Sequence, residues 1–233
     1  MEHQPELAQP SQSTKPPSLQ FDFQWRKFKT RISDTNNPEK GALYIVDYNS
    51  FKKPSIVFKR VTEKEGAEEV IGSGTLHTFG IDADYELHGR KDTLVAQRRW
   101  HTSYSHRSLA VSSNEKPVKM IWSSDSDFKT WDFICCDEQQ MPVAKFSANI
   151  WATKKMGKVE FMGPSANSKA LHDEIVVTGL TLFHCMVLRT SSLLSFFGAI
   201  FASPGHDKKW NEESQQDSKT NSKPCSEGKQ LEK

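Results

Sequence analysis

Apolar and polar residues alternate along much of this chain. The first run places Leu19, Phe21, Phe23 and Trp25 at every second position, with Gln or Asp between them. A period of two is typical of a β-strand with one buried face and one face in water. Similar short runs recur through most of the chain, separated by turn-forming stretches such as GRKD at 89–92. The pattern predicts about ten short strands without helices between them.

One apolar stretch departs from this pattern, DEIVVTGLTLFHCMVLR at 173–189. Its apolar side chains point in every direction around a helix, which requires burial on all sides by protein or by lipid. Residues 174–188 span about 22 Å as a helix, less than the roughly 30 Å of a bilayer core. Extending the span through 191–202 places Arg189 near its middle. We expect an enclosed helix at about 173–189, with a membrane span or a local strand at 175–178 as alternatives.

The charged residues that flank the apolar stretch are interpreted as marking where the helix begins and ends. Asp173 and Glu174 suit the N-cap and the first turn, and Arg189 suits the last turn, because each charge opposes the helix dipole. Gly179 lies in the interior, where glycine costs about 1 kcal/mol relative to alanine. We expect a strand backbone to approach the helix closely at Gly179.

These patterns together predict a mainly β fold. Alternation gives the sheet one apolar face that must cover something, and closure into a barrel removes exposed strand edges. We therefore expect one domain over residues 19–203, a closed barrel around the apolar helix. Residues 1–18 and 204–233 contain few large apolar side chains, so both are predicted to be disordered tails.

The cysteines and the N-terminal residues indicate the cellular compartment in which the protein is expected. The four cysteines, Cys135, Cys136, Cys185 and Cys225, form no CxxC pair, and the adjacent two are expected on opposite faces of a strand. Reduced thiols in an intracellular protein are the simplest interpretation. No signal-peptide pattern opens the sequence. We expect a cytoplasmic protein.

Clusters of basic residues are the candidate binding sites of this chain. Its net charge of +2 is too small to indicate nucleic-acid binding. Lipid phosphates need several cationic donors at one place. The first cluster, Lys27, Lys29 and Arg31, alternates with other residues and is predicted on one strand face. The last cluster, Lys154, Lys155 and Lys158, is predicted in a hairpin loop. For each basic cluster the alternative is a solvated strand face or hairpin tip without a ligand. The candidate phosphate-binding residues are Lys27, Lys29, Arg31, Arg98, Arg99, Lys154, Lys155 and Lys158.

Other candidate sites are weaker. The apolar run LLSFFGAIFA at 193–202 is interpreted either as an interfacial helix entering a membrane surface or as a cover for the barrel mouth. His101 and His106 are placed across a polar loop and His184 on the helix, each in a structural or surface role. No nucleophile–base set, P-loop, dinucleotide fingerprint or metal-ligand spacing occurs, so no catalytic residue, cofactor or metal is assigned.

Four phrases carry a resemblance to a known family. A barrel around a C-terminal helix resembles the tubby C-terminal fold, shared with plant LURP-one-related proteins and phospholipid scramblases, and the phrases look like those of uncharacterised tubby-like proteins of fungi. The resemblance covers roughly residues 19–189 and implies a barrel of about twelve strands. The phrases are ALYIVD (42–47), WDFICCDEQQMPVAKFS (131–147), KKMGKVEFMG (154–163) and DEIVVTGL (173–180).

The resemblance also implies a non-enzymatic role. The tubby branch binds membrane lipid or phosphoinositide through basic residues on neighbouring strands, but its signature sequences do not occur here, so those positions are not carried over. The scramblase branch binds calcium through an acidic segment near its final helix. Here that region supplies only Asp173 and Glu174, which a helix start explains.

We therefore expect a non-catalytic, monomeric domain that lies at a membrane and binds anionic lipids or phosphoinositides through a basic patch. One alternative is a protein-interaction scaffold without lipid affinity, with partner motifs in its tails. Another is a scramblase-like membrane protein anchored by residues 174–202. No nucleic-acid partner is expected, and the protein partners are unknown.

Overall fold

Twelve antiparallel strands form a closed barrel around one helix in the described part of the chain. The predicted fold class, a mainly β barrel with a central apolar helix, is confirmed. Of the predicted N-terminal tail, only its last three residues are described, and the tail 204–233 lies outside the described residues. The computed structural model describes residues 16–49, 52–62, 66–77, 80–97, 102–112, 116–124, 131–149 and 155–191.

Each strand pairs with the next one along the chain, and the ring closes where β1 pairs with β12. At this closure Leu19 lies opposite Val159. The strands are β1 (Ser18–Gln24), β2 (Lys29–Asp34), β3 (Ala42–Tyr48), β4 (Ile56–Val61), β5 (Glu68–Leu76), β6 (Ala83–Leu87), β7 (Arg90–Ala96), β8 (Ser103–Ser108), β9 (Val118–Ser123), β10 (Trp131–Cys136), β11 (Pro142–Ala148) and β12 (Lys155–Phe161), and the helix is α1 (Lys169–Ser191).

Burial along the strands follows the predicted alternation. In β6, Ala83, Tyr85 and Leu87 are buried, whereas Asp84 and Glu86 between them are partly exposed. Inward side chains from all around the ring form one core with the helix. The alternation of apolar and polar residues therefore indicates which face of each strand packs against α1.

β8 is the strand that the sequence pattern did not predict, since its residues SYSHRS were interpreted as part of a polar loop. Its inward side chains Tyr104, His106 and Ser108 are all buried, but all are polar. Because the side chains that face the core are polar, the apolar/polar alternation that marks the other strands is absent from β8. The placement of His106 in a loop was wrong for this reason.

α1 confirms the predicted enclosure. Its residues from Leu171 to Phe183 are buried on every side apart from the partly exposed His172. By length and composition alone the helix is long and apolar enough to cross a membrane, yet 72% of its apolar window is buried inside the molecule. The helix begins at Lys169, before the predicted start at 173, so Asp173 and Glu174 are not helix-start residues.

Glycines set how closely the helix and the barrel approach, but not at the predicted position. A Cβ at Gly179 would lie 3.2 Å from the ring of Trp122, so an indole side chain occupies the place expected for a strand backbone. The close approach occurs instead at β5, where a Cβ at Gly74 would lie 2.5 Å from Oγ1 of Thr181. The small residue is on the strand because the facing helix position is the bulkier threonine.

Candidate functional site

The alternating direction of the strands gives the barrel two distinct ends. α1 ends at one of them, where the His184 ring packs against Tyr48, the last residue of β3, with ring centroids 4.4 Å apart. This end, termed the exit end, also holds the connections from β1 to β2 and from β3 to β4. The opposite end, termed the entry end, holds the start of α1.

Five basic residues lie in or beside two neighbouring connections at the exit end. Arg26 and Lys27 are exposed in a 3-10 turn after β1, Lys29 opens β2, and Lys52 and Lys53 are exposed between β3 and β4. We term Arg26, Lys27, Lys29, Lys52 and Lys53 the basic rim.

Backbone hydrogen bonds hold the two connections together. The amide of Tyr48 donates to the carbonyl of Phe28 at 3.2 Å, which ties the end of β3 to the turn between β1 and β2. The amide of Asn49 donates to the carbonyl of Ser55 at 2.8 Å, which closes the connection between β3 and β4. The rim is thus carried on the ends of paired strands.

One member of the rim is already neutralised. Nζ of Lys29 lies 3.0 Å from Asp47, and Nζ of Lys59 lies 2.9 Å from the same carboxylate. Although burial acts to raise the pKa of Asp47, the hydrogen bonds from Lys59 and Lys29 hold it below its usual value. Among the described residues, the other four rim cations form no ion pair with a carboxylate.

The first predicted cluster is only partly as expected. Lys29 and Arg31 share the outward face of β2, on either side of the buried Thr30. Lys27 does not join that face, because the chain makes a 3-10 turn before β2 begins. Arg31 lies opposite Asp22 of β1 in the sheet.

The predicted hairpin-loop placement of the last cluster was wrong for the two residues that the structure describes. Lys155 and Lys158 belong to β12, and Nζ of Lys158 lies 2.7 Å from Glu160. The glycine in KKMGKVEF suggested a turn, but Gly157 lies within the strand, where an added Cβ would be 2.6 Å from the carbonyl oxygen of Ser147. Lys154 lies outside the described residues, as do Arg98 and Arg99.

Three rim residues were missed by the sequence reasoning, namely Arg26, Lys52 and Lys53. The signal was present in RKFK at 26–29 and FKKP at 51–54. Each stretch joins two antiparallel strands, and in a ring of sequential strands every second connection falls at the same end. The strand order was therefore the missing information.

A second charged cluster lies buried at the entry end, around Asp173. Its side chain is only 2% exposed and accepts hydrogen bonds from the hydroxyl of Tyr44 at 2.9 Å, from His88 at 2.9 Å and from Arg60. Burial and the Asp173 carboxylate both raise the pKa of Tyr44 well above its usual value. Asp173 therefore acts as a link between α1 and three strands or their connections, not as a helix cap.

Glu174 makes a similar link with the unpredicted strand. Nε2 of His106 lies 3.1 Å from Oε1 of Glu174, and both side chains are almost fully enclosed. Among the residues that the structure describes, no group of three or more His, Cys, Asp or Glu side chains is placed to hold a metal ion. The two acidic residues are engaged with the barrel strands.

The described cysteines are thiols without disulfide partners. Cys135 is buried and Cys136 partly exposed, which confirms their predicted opposite orientation on the strand. Burial raises the pKa of Cys185 to about 11 and that of Cys135 well above its usual value, so little thiolate forms at neutral pH. Cys225 and the apolar run 193–202 lie outside the described residues.

Comparison with known proteins gives no relative on which an assignment can rest. No family model, curated protein or solved structure matches this chain.

Proposed function

We propose that this chain is a non-catalytic barrel domain that binds the phosphate-bearing headgroups of anionic membrane lipids, phosphoinositides included, through the basic rim. The observation that carries the proposal is the grouping of Arg26, Lys27, Lys52 and Lys53 at one end of a closed barrel, four exposed cations that pair with no carboxylate in the described part of the chain. Such a domain lies at the cytoplasmic surface of a membrane without spanning it.

The arrangement suits headgroup phosphates for electrostatic reasons. Charge-assisted hydrogen bonds to phosphate are among the strong ones, and they need donors that are not already paired. Each Lys or Arg near an anionic surface contributes about 1 kcal/mol. Four unpaired rim cations therefore supply about 4 kcal/mol, equivalent to a Kd of about 1 mM. Electrostatic attraction alone gives weak and reversible docking.

Described residues that flank the three remaining sequence candidates lie at the exit end. Gln97 and Thr102 flank the segment with Arg98 and Arg99 and lie at the exit end, where the Gln97 amide donates to the carbonyl of Ser103 at 2.7 Å. Lys155, which follows Lys154, opens β12 at that end. The resemblance to the tubby fold also supports the proposal, since headgroup binding is known in that branch.

Vesicle co-sedimentation of neutralised variants tests the proposal. Lys27→Gln with Lys53→Gln removes two rim charges, and Lys91→Gln with Lys116→Gln removes two exposed charges at the entry end. Vesicles of phosphatidylcholine with about 20% phosphatidylserine, or about 5% phosphoinositide, supply the anionic surface. We expect the rim pair to weaken binding about 30-fold at low salt, since two charges contribute about 2 kcal/mol, and the entry-end pair to leave it unchanged.

The salt dependence provides a second measurement. Binding of the unsubstituted protein should fall steeply as salt rises from about 50 mM to about 500 mM, because exposed charges are screened within a few ångströms at high salt. Absence of binding to either anionic vesicle at low salt would remove the proposal. An equal loss in both double variants would show a dependence on net charge without a localised site.

A further inference from the structure

Phe28 stands at the centre of the basic rim in an unusual conformation. Its side chain is 59% exposed, whereas most aromatic side chains of this fold lie in the core. Its backbone has φ +48, in the left-handed region that side-chain-bearing residues seldom occupy. A bulky residue in that conformation is strained, and glycine would be the favoured choice. Phe28 is not among the core residues of the part of the chain that the structure describes.

The surroundings of Phe28 resemble the edge of a membrane-docking surface. Arg26 and Lys27 precede it and Lys29 follows it, so the exposed ring has cations on both sides along the chain. The Phe28 carbonyl accepts the Tyr48 amide at 3.2 Å, and this bond anchors the turn while the ring remains in solvent. At a lipid interface the phosphates of the headgroups lie outside and the acyl chains inside. Cations can contact those phosphates while an exposed aromatic ring beside them enters the acyl boundary.

A second exposed apolar side chain lies in the last turns of α1, at the exit end. Leu188 is 42% exposed and follows His184 by one helical turn, so it shares the face that packs against Tyr48. Tyr48 is also the residue whose amide holds the Phe28 turn. Phe28 and Leu188 are thus two exposed apolar side chains at the exit end, and the sequence continues from α1 into the apolar run 193–202.

We infer that Phe28 inserts its ring into the interfacial region of an anionic bilayer while the basic rim contacts the headgroups. The inference rests on the proposed function and extends it, because the rim charges alone give only weak docking. The occupant of this surface is the lipid bilayer, recognised by the combination of an apolar ring and the surrounding cations. The strained turn serves to hold the ring away from the barrel.

Phe28→Gly separates membrane insertion from a structural role. Glycine removes the ring and also relieves the left-handed backbone, so we expect Tm to be equal or higher than in the unsubstituted protein. We expect affinity for phosphatidylcholine vesicles with about 20% phosphatidylserine to fall about five-fold, as for loss of one partly buried aromatic ring. The matched control is Val70→Ala, which removes a 62% exposed apolar side chain at the entry end and should leave affinity unchanged.

A soluble inositol phosphate distinguishes ring insertion from headgroup contact. It carries phosphates but no acyl chains, so Phe28→Gly should bind it as the unsubstituted protein does, whereas Lys27→Gln with Lys53→Gln should bind it more weakly. Unchanged vesicle affinity in Phe28→Gly, with reduced affinity in the rim double variant, would overturn the insertion and leave the proposed function intact. A lower Tm with unchanged vesicle affinity would show that the Phe28 ring has a structural role in the fold, and would also overturn the insertion. Failure of all vesicle binding would overturn both.

Discussion

At the scale of single residues, His184 shows how enclosure changes the chemistry of a side chain. Its Nδ1 donates to the carbonyl of Leu180 at 2.8 Å, and its ring packs between Tyr48 and Phe183. Burial lowers the pKa of His184 from its ordinary 6.5 to about 4, since the barrel interior disfavours the imidazolium. The folded protein therefore keeps this histidine neutral at pH values where the unfolded chain protonates it.

This depressed pKa predicts a loss of stability in mild acid. Below pH 6.5 His184 takes up a proton in the unfolded state, whereas in the folded state it stays neutral until the pH approaches 4. The free energy of unfolding therefore falls as the pH decreases from 6.5 to about 4. Between pH of about 7.5 and about 5 we expect a loss of about 1–2 kcal/mol from His184. Urea titrations of the unsubstituted protein and of His184→Gln at both pH values measure it.

The variant should lose less stability on acidification than the unsubstituted protein, and the difference between the two is the His184 contribution. His77→Gln is the control, because His77 lies near the surface and pairs with Asp84 at 2.9 Å outside the core. An identical pH dependence in His184→Gln and the unsubstituted protein would contradict the enclosed, neutral histidine.

Residue-scale patterns in the sequence predicted apolar burial well and polar burial poorly. Asp173 and Glu174 were interpreted as helix-start residues because a charge beside an apolar run is usually at its boundary. Their partners Arg60 and His106 lie far away in the sequence and become neighbours only when the ring closes. A single sequence contains no local sign of such pairing, so periodicity arguments do not find buried polar pairs.

At the scale of elements, the fit of α1 in the barrel depends on β5 having no side chain at Gly74. An added Cβ there would lie 2.5 Å from Oγ1 of Thr181, and Thr181 is itself fully buried. A β-branched side chain in a helix has little rotamer freedom with which to move away. We predict that Gly74→Ala lowers the free energy of unfolding by about 1–3 kcal/mol, through overpacking.

A double-mutant cycle tests that prediction specifically. Thr181→Ala removes the clashing atoms and leaves only a Cβ at 3.4 Å, an ordinary contact. Gly74→Ala should therefore cost less in the Thr181→Ala background, with a coupling of about 1 kcal/mol or more in chemical denaturation. Ser73→Ala, on the outward face of the same strand, should change stability by less than about 0.5 kcal/mol. Additive effects of the two substitutions would show that this contact does not set the helix position.

Element-scale prediction succeeded where one face is apolar and failed where it is not. The alternation of β1 and β6 and the apolar surface of α1 were sufficient to predict strands and an enclosed helix. β8 presents Tyr104, His106 and Ser108 inward, and β12 carries Gly157 near its start, so β8 and the first residues of β12 resembled loops. In both cases the tertiary environment outweighs the local propensity.

At the scale of the whole molecule, ring closure converts scattered basic residues into a localised surface. Sequence reasoning identified Lys27 and Lys29 but not Lys52 and Lys53, because only the order of strands around the ring brings the two connections together. The same closure leaves α1 no free face for lipid over most of its length. Any membrane contact of the described residues therefore involves an end or the outside of the barrel, not the helix core.

Hydrogen exchange with and without anionic vesicles tests this orientation most directly. We expect slower amide exchange on vesicle addition at the exit end, in segments 24–29 and 48–55, and unchanged exchange at the entry end, in segments 88–90 and 137–141. Phosphatidylcholine vesicles without anionic lipid should produce no change at either end. Protection at the entry end, or no protection anywhere with the protein bound to vesicles, would contradict docking through the basic rim.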